Sequence, residues 1–178
     1  LSKEKINSLI VTSDKNAKYS HIFNIDLSKI EPYIALPGDT QNGKPLSEII
    51  IQHVKIQKAY IGSCTHGTVE DLRQAAEVLR GRKIAEGVKL YVQANSTDNL
   101  KEARNKGYIN DLIDAGATIL PIGCGACINA GEGSTEIGET AIFATNRNFP
   151  GRTGKGDTYL ASSVITAASA ITGFICGP

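Results

Sequence analysis

The chain has 178 residues, with 19 Lys+Arg against 18 Asp+Glu and a formal net charge of +1. That length suits one domain with a real core, and balanced charge without a basic stripe gives no support for nucleic-acid binding. The longest apolar stretches are too short, and too broken by charge, to span a membrane; the opening Leu1-Ser2-Lys3-Glu4-Lys5 does not read as a signal peptide. Four cysteines without a secretory signal argue for metal or redox chemistry in the cytoplasm rather than a disulfide framework. There is no methionine, position 1 included, as expected of a domain taken from a longer protein.

Residues 1–54 read as an irregular opening segment. Within it His21 to Asp26 reads as a strand, and Pro32, Pro37, Gly38 and Gly43 punctuate a long loop or sheet edge. From residue 55 to 178 strands and helices alternate. Gln57 to Ile61 is a short apolar strand. Thr68, with Asp71 three residues on, reads as a capping box. Val69, Leu72, Ala76 and Leu79 then mark one helical face, ending near Gly81 or Gly87. Val88 to Ala94 is the next strand. Two helical pieces, Thr97 to Lys106 and Tyr108 to Ala115, are split at Gly107. Ala117 to Ile122 and Thr140 to Thr145 are strands, Tyr159 to Ser162 is extended, and Ser163 to Thr172 is a final helix. This order predicts a single α/β domain, three-layered, with a mostly parallel sheet.

In such sheets ligands bind at the carboxyl ends of the strands. Three loops after strands carry unusual residues: Ile61-Gly62-Ser63-Cys64-Thr65, Gly123-Cys124-Gly125-Ala126-Cys127, and Asn146-Arg147-Asn148-Phe149-Pro150-Gly151-Arg152. The glycines around the three cysteines have no purpose for a merely packed thiol, whereas Cys176 reads as a buried hydrophobe. Three uses of the thiols stand open. An iron–sulfur cluster with three protein ligands would leave one iron free. Structural zinc would add His66 to make a Cys₃His set. A redox dithiol would use Cys124 and Cys127 alone, but Ile128 to Gly133 is a poor helix start and Cys64 is left unexplained. Arg147 and Arg152 flank a shaped loop, and a guanidinium fork suits a carboxylate.

These blocks resemble the aconitase superfamily of Fe–S hydro-lyases. The matching residues are Ile61 to Thr65 with Glu70-Asp71-Leu72, Cys124-Gly125-Ala126-Cys127, Asn146-Arg147-Asn148-Phe149 with Gly151-Arg152, and Tyr159-Leu160-Ala161-Ser162 leading to Ala167-Ala168-Ser169-Ala170. Asp26-Leu27 to Pro37 also resembles the start of that family's third domain. The branch most resembled is that of the 3-isopropylmalate dehydratase and homoaconitase large subunits. The resemblance implies a [4Fe–4S] cluster on Cys64, Cys124 and Cys127, substrate carboxylates on Arg147 and Arg152, and Asn146 beside the cluster. It implies reversible dehydration of a 2- or 3-hydroxy di- or tricarboxylic acid, 3-isopropylmalate or a related malate, as in leucine biosynthesis. It also implies a small swivel-domain subunit or domain as partner. The family's acid–base groups lie in other domains, so the isolated chain is expected to be inactive. His66 stands where the family usually has Asn, Ala126 where Pro is commoner, and Ala130 to Glu139 departs from the isopropylmalate pattern. A methylated malate such as 2,3-dimethylmalate is therefore a further candidate substrate.

Overall fold

A computed structural model describes residues 2–178, which divide at Ile30 and Glu31 into two units. In the first, Ser2 caps helix α1 (Lys3–Leu9) and Asp26 caps a 3-10 turn at Leu27–Lys29. Neither element has a buried residue. The strand expected over His21 to Asp26 does not form. Ile22, Phe23 and Ile25 have the β propensity, but all three are exposed and no neighbouring strand pairs with them.

The second unit holds a seven-stranded sheet. Its strands are β1 (Tyr33–Ala35), β2 (Gly43–Pro45), β3 (Lys58–Gly62), β4 (Lys89–Gln93), β5 (Thr118–Ile119), β6 (Thr140–Ala144) and β7 (Asp157–Leu160). The order is β2-β1-β7-β6-β3-β4-β5. The pairs from β7 to β5 are parallel, and the β1–β2 hairpin closes one edge antiparallel. The opening segment is thus regular from residue 33, where β1, β2 and α2 (Leu46–Ile50) form. Pro32 and Pro37 are tolerated because they lie just outside β1 and interrupt no strand.

Helix α4 (Val69–Leu79) crosses from β3 to β4; α5 (Thr97–Asn105) and α6 (Tyr108–Ala115) cross from β4 to β5. The Thr68–Asp71 capping box is formed, and Gly107 splits α5 from α6 at φ 82°. Helix α7 (Ser163–Thr172) follows β7, with the Ser162 side chain as its cap. β5 is shorter than the apolar run Ala117 to Ile122 suggests. Only Thr118 and Ile119 pair with β4, because the chain turns away at Pro121.

Side chains alternate across the sheet with the strand period of two. Ala59, Ile61, Leu90, Val92, Ile142 and Ala144 face one way, into a core shared with Leu72, Leu79, Leu112 and Ile165 of the helices. Tyr60, Tyr91, Ala141, Phe143 and Leu160 face the other way. No α-helix contributes to that second cluster; Ala126, from a 3-10 turn at Gly125–Ile128, does. The α/β architecture therefore has helices behind the sheet and loops in front of it.

The loop before β6 is bolted down by a half-buried ion pair. Lys58 Nζ lies 2.6 Å from Glu139 Oε2 and donates to the Ser134 carbonyl at 2.7 Å. Burial pushes the Glu139 carboxyl up, but the Lys58 hydrogen bond and the Glu136 amide outweigh it, so its pKa falls below the ordinary 4.5. A lowered carboxylate pKa contributes stability above the unfolded value, and that contribution is lost as pH falls through the folded one. Thermal stability should decline below about pH 4.5, and Glu139→Gln should remove this part of the decline while costing about 1–2 kcal/mol at neutral pH. Melting curves from pH 3 to 7 for both proteins check it; parallel curves would exclude the role.

Candidate functional site

The site lies where β3 and β6 run side by side. From β3 the chain moves outward to β4 and β5, then returns to the far side of β3 as β6 and β7. Such a reversal opens a crevice at the strand carboxyl ends. The Cys64 loop leaves β3 and the Asn146 loop leaves β6, so neighbouring strands deliver both.

Cys64 is exposed on a short helix, α3 (Ser63–His66). The turn into it runs through Gly62 at φ 149° and Ser63 at φ 58°. Gly67 then returns beneath β4, its carbonyl accepting from Asn95 N at 2.9 Å. His66 is half-buried, with Nδ1 3.2 Å from Thr65 Oγ1. Cys124 is exposed and caps the 3-10 turn; Cys127, 2 % exposed, lies within the turn, which ends at Asn129 with φ 56°. All four cysteines are free thiols, and Cys176 is half-buried 3.2 Å from Thr172 Oγ1.

Cys127 is the meeting point. Its Sγ lies 3.5 Å from Asn146 Oδ1 and 3.7 Å from Arg152 Nη2. Arg152 is half-buried, with Cζ 5.8 Å over the Phe149 ring centroid, a cation–π distance. Tyr60 lies under the same 3-10 turn, where a Cβ on Gly125 would be 3.3 Å from its hydroxyl. Its hydroxyl is pushed well above the ordinary tyrosine pKa, first by burial and then by the charges of Cys127, Cys124 and Cys64.

Arg147 behaves differently from Arg152. It is exposed and makes no salt bridge among the described residues; with Asp39, Thr40, Asn148 and Phe149 it lines a depression of about 270 Å³. Asn148 is the anchor of this loop. Its Nδ2 donates to the carbonyls of Leu36 at 2.7 Å and Thr158 at 2.9 Å, tying the arginine loop to β1 and β7.

Three polar atoms around the site are buried without a hydrogen-bond partner: Ser63 Oγ, Thr145 Oγ1 and Arg152 Nε. Each such group costs about 1–3 kcal/mol, and their concentration at the ends of β3 and β6 suits a polar occupant. No three His, Cys, Asp or Glu side chains among the described residues converge closely enough to hold one metal ion. Tyr60 and Gln93 escaped the sequence reading. Gln93 sits at the end of an apolar strand, and its partners are fixed only by strand register.

A model of the aconitase family (aconitate hydratase) matches residues 2–173. The chain is 46 % identical over its whole length to a protein named mitochondrial homoaconitase from Debaryomyces hansenii, covering 25 % of that protein. It is 44 % identical over 93 % of its length to a 3-isopropylmalate dehydratase large subunit from Nautilia profundicola, covering 40 % of it. A mitochondrial homoaconitase from Mycosarcoma maydis is 42 % identical over 98 % of the chain and is covered to 24 %. The chain thus spans between about a quarter and two-fifths of these relatives. With the family model covering nearly every residue, and the thiol and arginine loops gathered at one sheet end, the chain belongs to the aconitase family.

Proposed function

We propose that this chain is the cluster- and substrate-binding domain of an aconitase-type hydro-lyase. The parent enzyme reversibly dehydrates a 2- or 3-hydroxy di- or tricarboxylic acid, with 3-isopropylmalate or a related malate as the favoured substrate. The observation that carries this reading is the contact set at Cys127: a thiol, the Asn146 amide and the Arg152 guanidinium, from two separate loops, within 3.7 Å. A thiol beside a guanidinium fork combines a soft metal ligand with a carboxylate receptor.

Cys64, Cys124 and Cys127 would hold a [4Fe–4S] cluster. The donor set fits it better than zinc. One zinc ion needs all its donors about 2.0–2.3 Å from a single point, and these donors do not converge so. A cluster takes each thiolate at a different iron. When bound, the cluster supplies a Lewis-acidic iron for a substrate hydroxyl and carboxylate. The residues of this chain orient the substrate. Arg152, stacked on Phe149, presents its fork beside the thiols to one carboxylate. Exposed Arg147 would offer a second cationic contact from the depression it lines with Asp39 and Thr40. Asn146 presents its amide beside Cys127 Sγ. The proton transfers fall to other domains of the longer enzyme, including a small swivel subunit or domain. A cytoplasmic setting, where thiols stay reduced, belongs to the same proposal.

Anaerobic reconstitution with iron and sulfide tests it. Broad visible absorbance and about four irons per chain are expected. Cys64→Ser, Cys124→Ser and Cys127→Ser should each lose most of the bound iron, and Cys176→Ser none. Zinc uptake without sulfide would instead support a zinc-stabilised binding module, and loss of iron in Cys176→Ser alone would overturn the ligand set.

A further inference from the structure

Gln93 closes β4 with a side chain only 3 % exposed. Its Oε1 accepts from the Tyr60 hydroxyl and its Nε2 donates to the Pro121 carbonyl. Tyr60 lies on the strand that runs into Cys64, and Pro121 lies three residues before Cys124. One buried amide therefore links the approaches to both thiol loops.

Both loops also rest on this residue sterically. Gly62 pairs with Gln93 in the β3–β4 register. A Cβ on Gly67 would come within 2.6 Å of the Gln93 carbonyl oxygen, so the Cys64 loop sits directly on the Gln93 main chain. A Cβ on Gly125 would lie 2.9 Å from Gln93 Oε1 and 3.3 Å from the Tyr60 hydroxyl, so the Cys124–Cys127 turn sits on its side chain.

We infer that Gln93 is a positioning residue that sets the spacing between Cys64 and the Cys124–Cys127 pair. Its main chain holds one loop and its amide holds the other. The amide's two ends are not equivalent: the carbonyl oxygen can only accept and the NH₂ can only donate, so the Tyr60 and Pro121 partners fix its orientation. Its meaning for catalysis rests on the cluster reading above, but the coupling itself is testable without iron.

The test is pulsed iodoacetamide alkylation of the full iron-free chain, each cysteine followed by mass spectrometry. Gln93→Leu keeps the volume and deletes both hydrogen bonds. Cys127 should then alkylate at least about tenfold faster than in the parent, as the 121–127 loop opens locally. Cys176, held beside Thr172 at the end of α7 and away from Gln93's partners, should keep its rate. Tyr60→Phe retains the Pro121 contact and should accelerate Cys127 by about threefold. After reconstitution, Gln93→Leu should retain less iron and sulfide per chain. An unchanged Cys127 rate in Gln93→Leu overturns the inference, as does an equal acceleration at Cys176, which would mean general loosening. If Gln93→Leu does not fold, Tyr60→Phe decides by the same two rates. A parent chain that takes up no iron and sulfide defeats the cluster reading and leaves the alkylation comparison standing.

Discussion

Gly62→Ala should prevent stable folding, with a loss above about 4 kcal/mol. Two costs coincide there. The backbone is at φ 149°, where an L side chain is strained. A Cβ would also overlap the carbonyl oxygen, carbon and nitrogen of Gln93, all main-chain atoms with no rotamer to yield. Relief requires β3 and β4 to part at the end that carries Cys64. Gly81→Ala is the control. Its φ is 71°, yet nothing lies within 4 Å of the added carbon, so it should cost only the left-handed penalty of about 1–2 kcal/mol. Chemical denaturation of the two variants checks the ranking. A Gly62→Ala protein as stable as Gly81→Ala would show that the two strands can separate there without cost.

Arg152→Lys in the intact enzyme should lower kcat/KM by about 10- to 100-fold, the loss of one charge-assisted bidentate contact. Lysine keeps the charge but has no planar fork, so it can neither lie over Phe149 as the guanidinium does nor offer two parallel N–H groups. The three thiols are untouched, so the visible spectrum of the reconstituted cluster should stay the same. A normal kcat/KM would remove Arg152 from the substrate grip. A lost cluster would instead mean that the guanidinium serves Cys127, 3.7 Å away, and not the substrate.

From Lys58 onward the strands and the longer helices were legible because each carries its own local signal. Thr68 and Asp71 announce α4, Gly107 separates α5 from α6, and Ser162 opens α7. The edge hairpin Tyr33–Ala35 with Gly43–Pro45 was not, since three-residue strands among prolines show no alternation to read. α3 was missed because four residues beginning with a positive-φ serine give no helical period. The thiols and arginines could be listed from spacing and glycine content. Their contacts could not: Cys127 reaches Arg152 only because the loops after β5 and β6 fold over one sheet face. The Tyr60–Gln93 link is likewise a product of register, joining residues 33 positions apart, and Asn148 showed its anchoring role only once Leu36 and Thr158 lay on either side of it.

The one-sided placement of the helices has a consequence for how relatives diverge. The Leu72, Leu112 and Ile165 core never meets the loops that carry Cys124, Cys127 and Arg152. Changes in residues 121–139 and 145–156 can therefore accumulate, or be transplanted as cassettes between relatives, without repacking the helical half. His66, Ala126 and the Ala130 to Glu139 stretch all lie in front of the sheet or at its thiol end. An ancestral scaffold could keep its helices under one selection and revise its front loops under another, and a laboratory exchange of those two stretches would exploit the same independence.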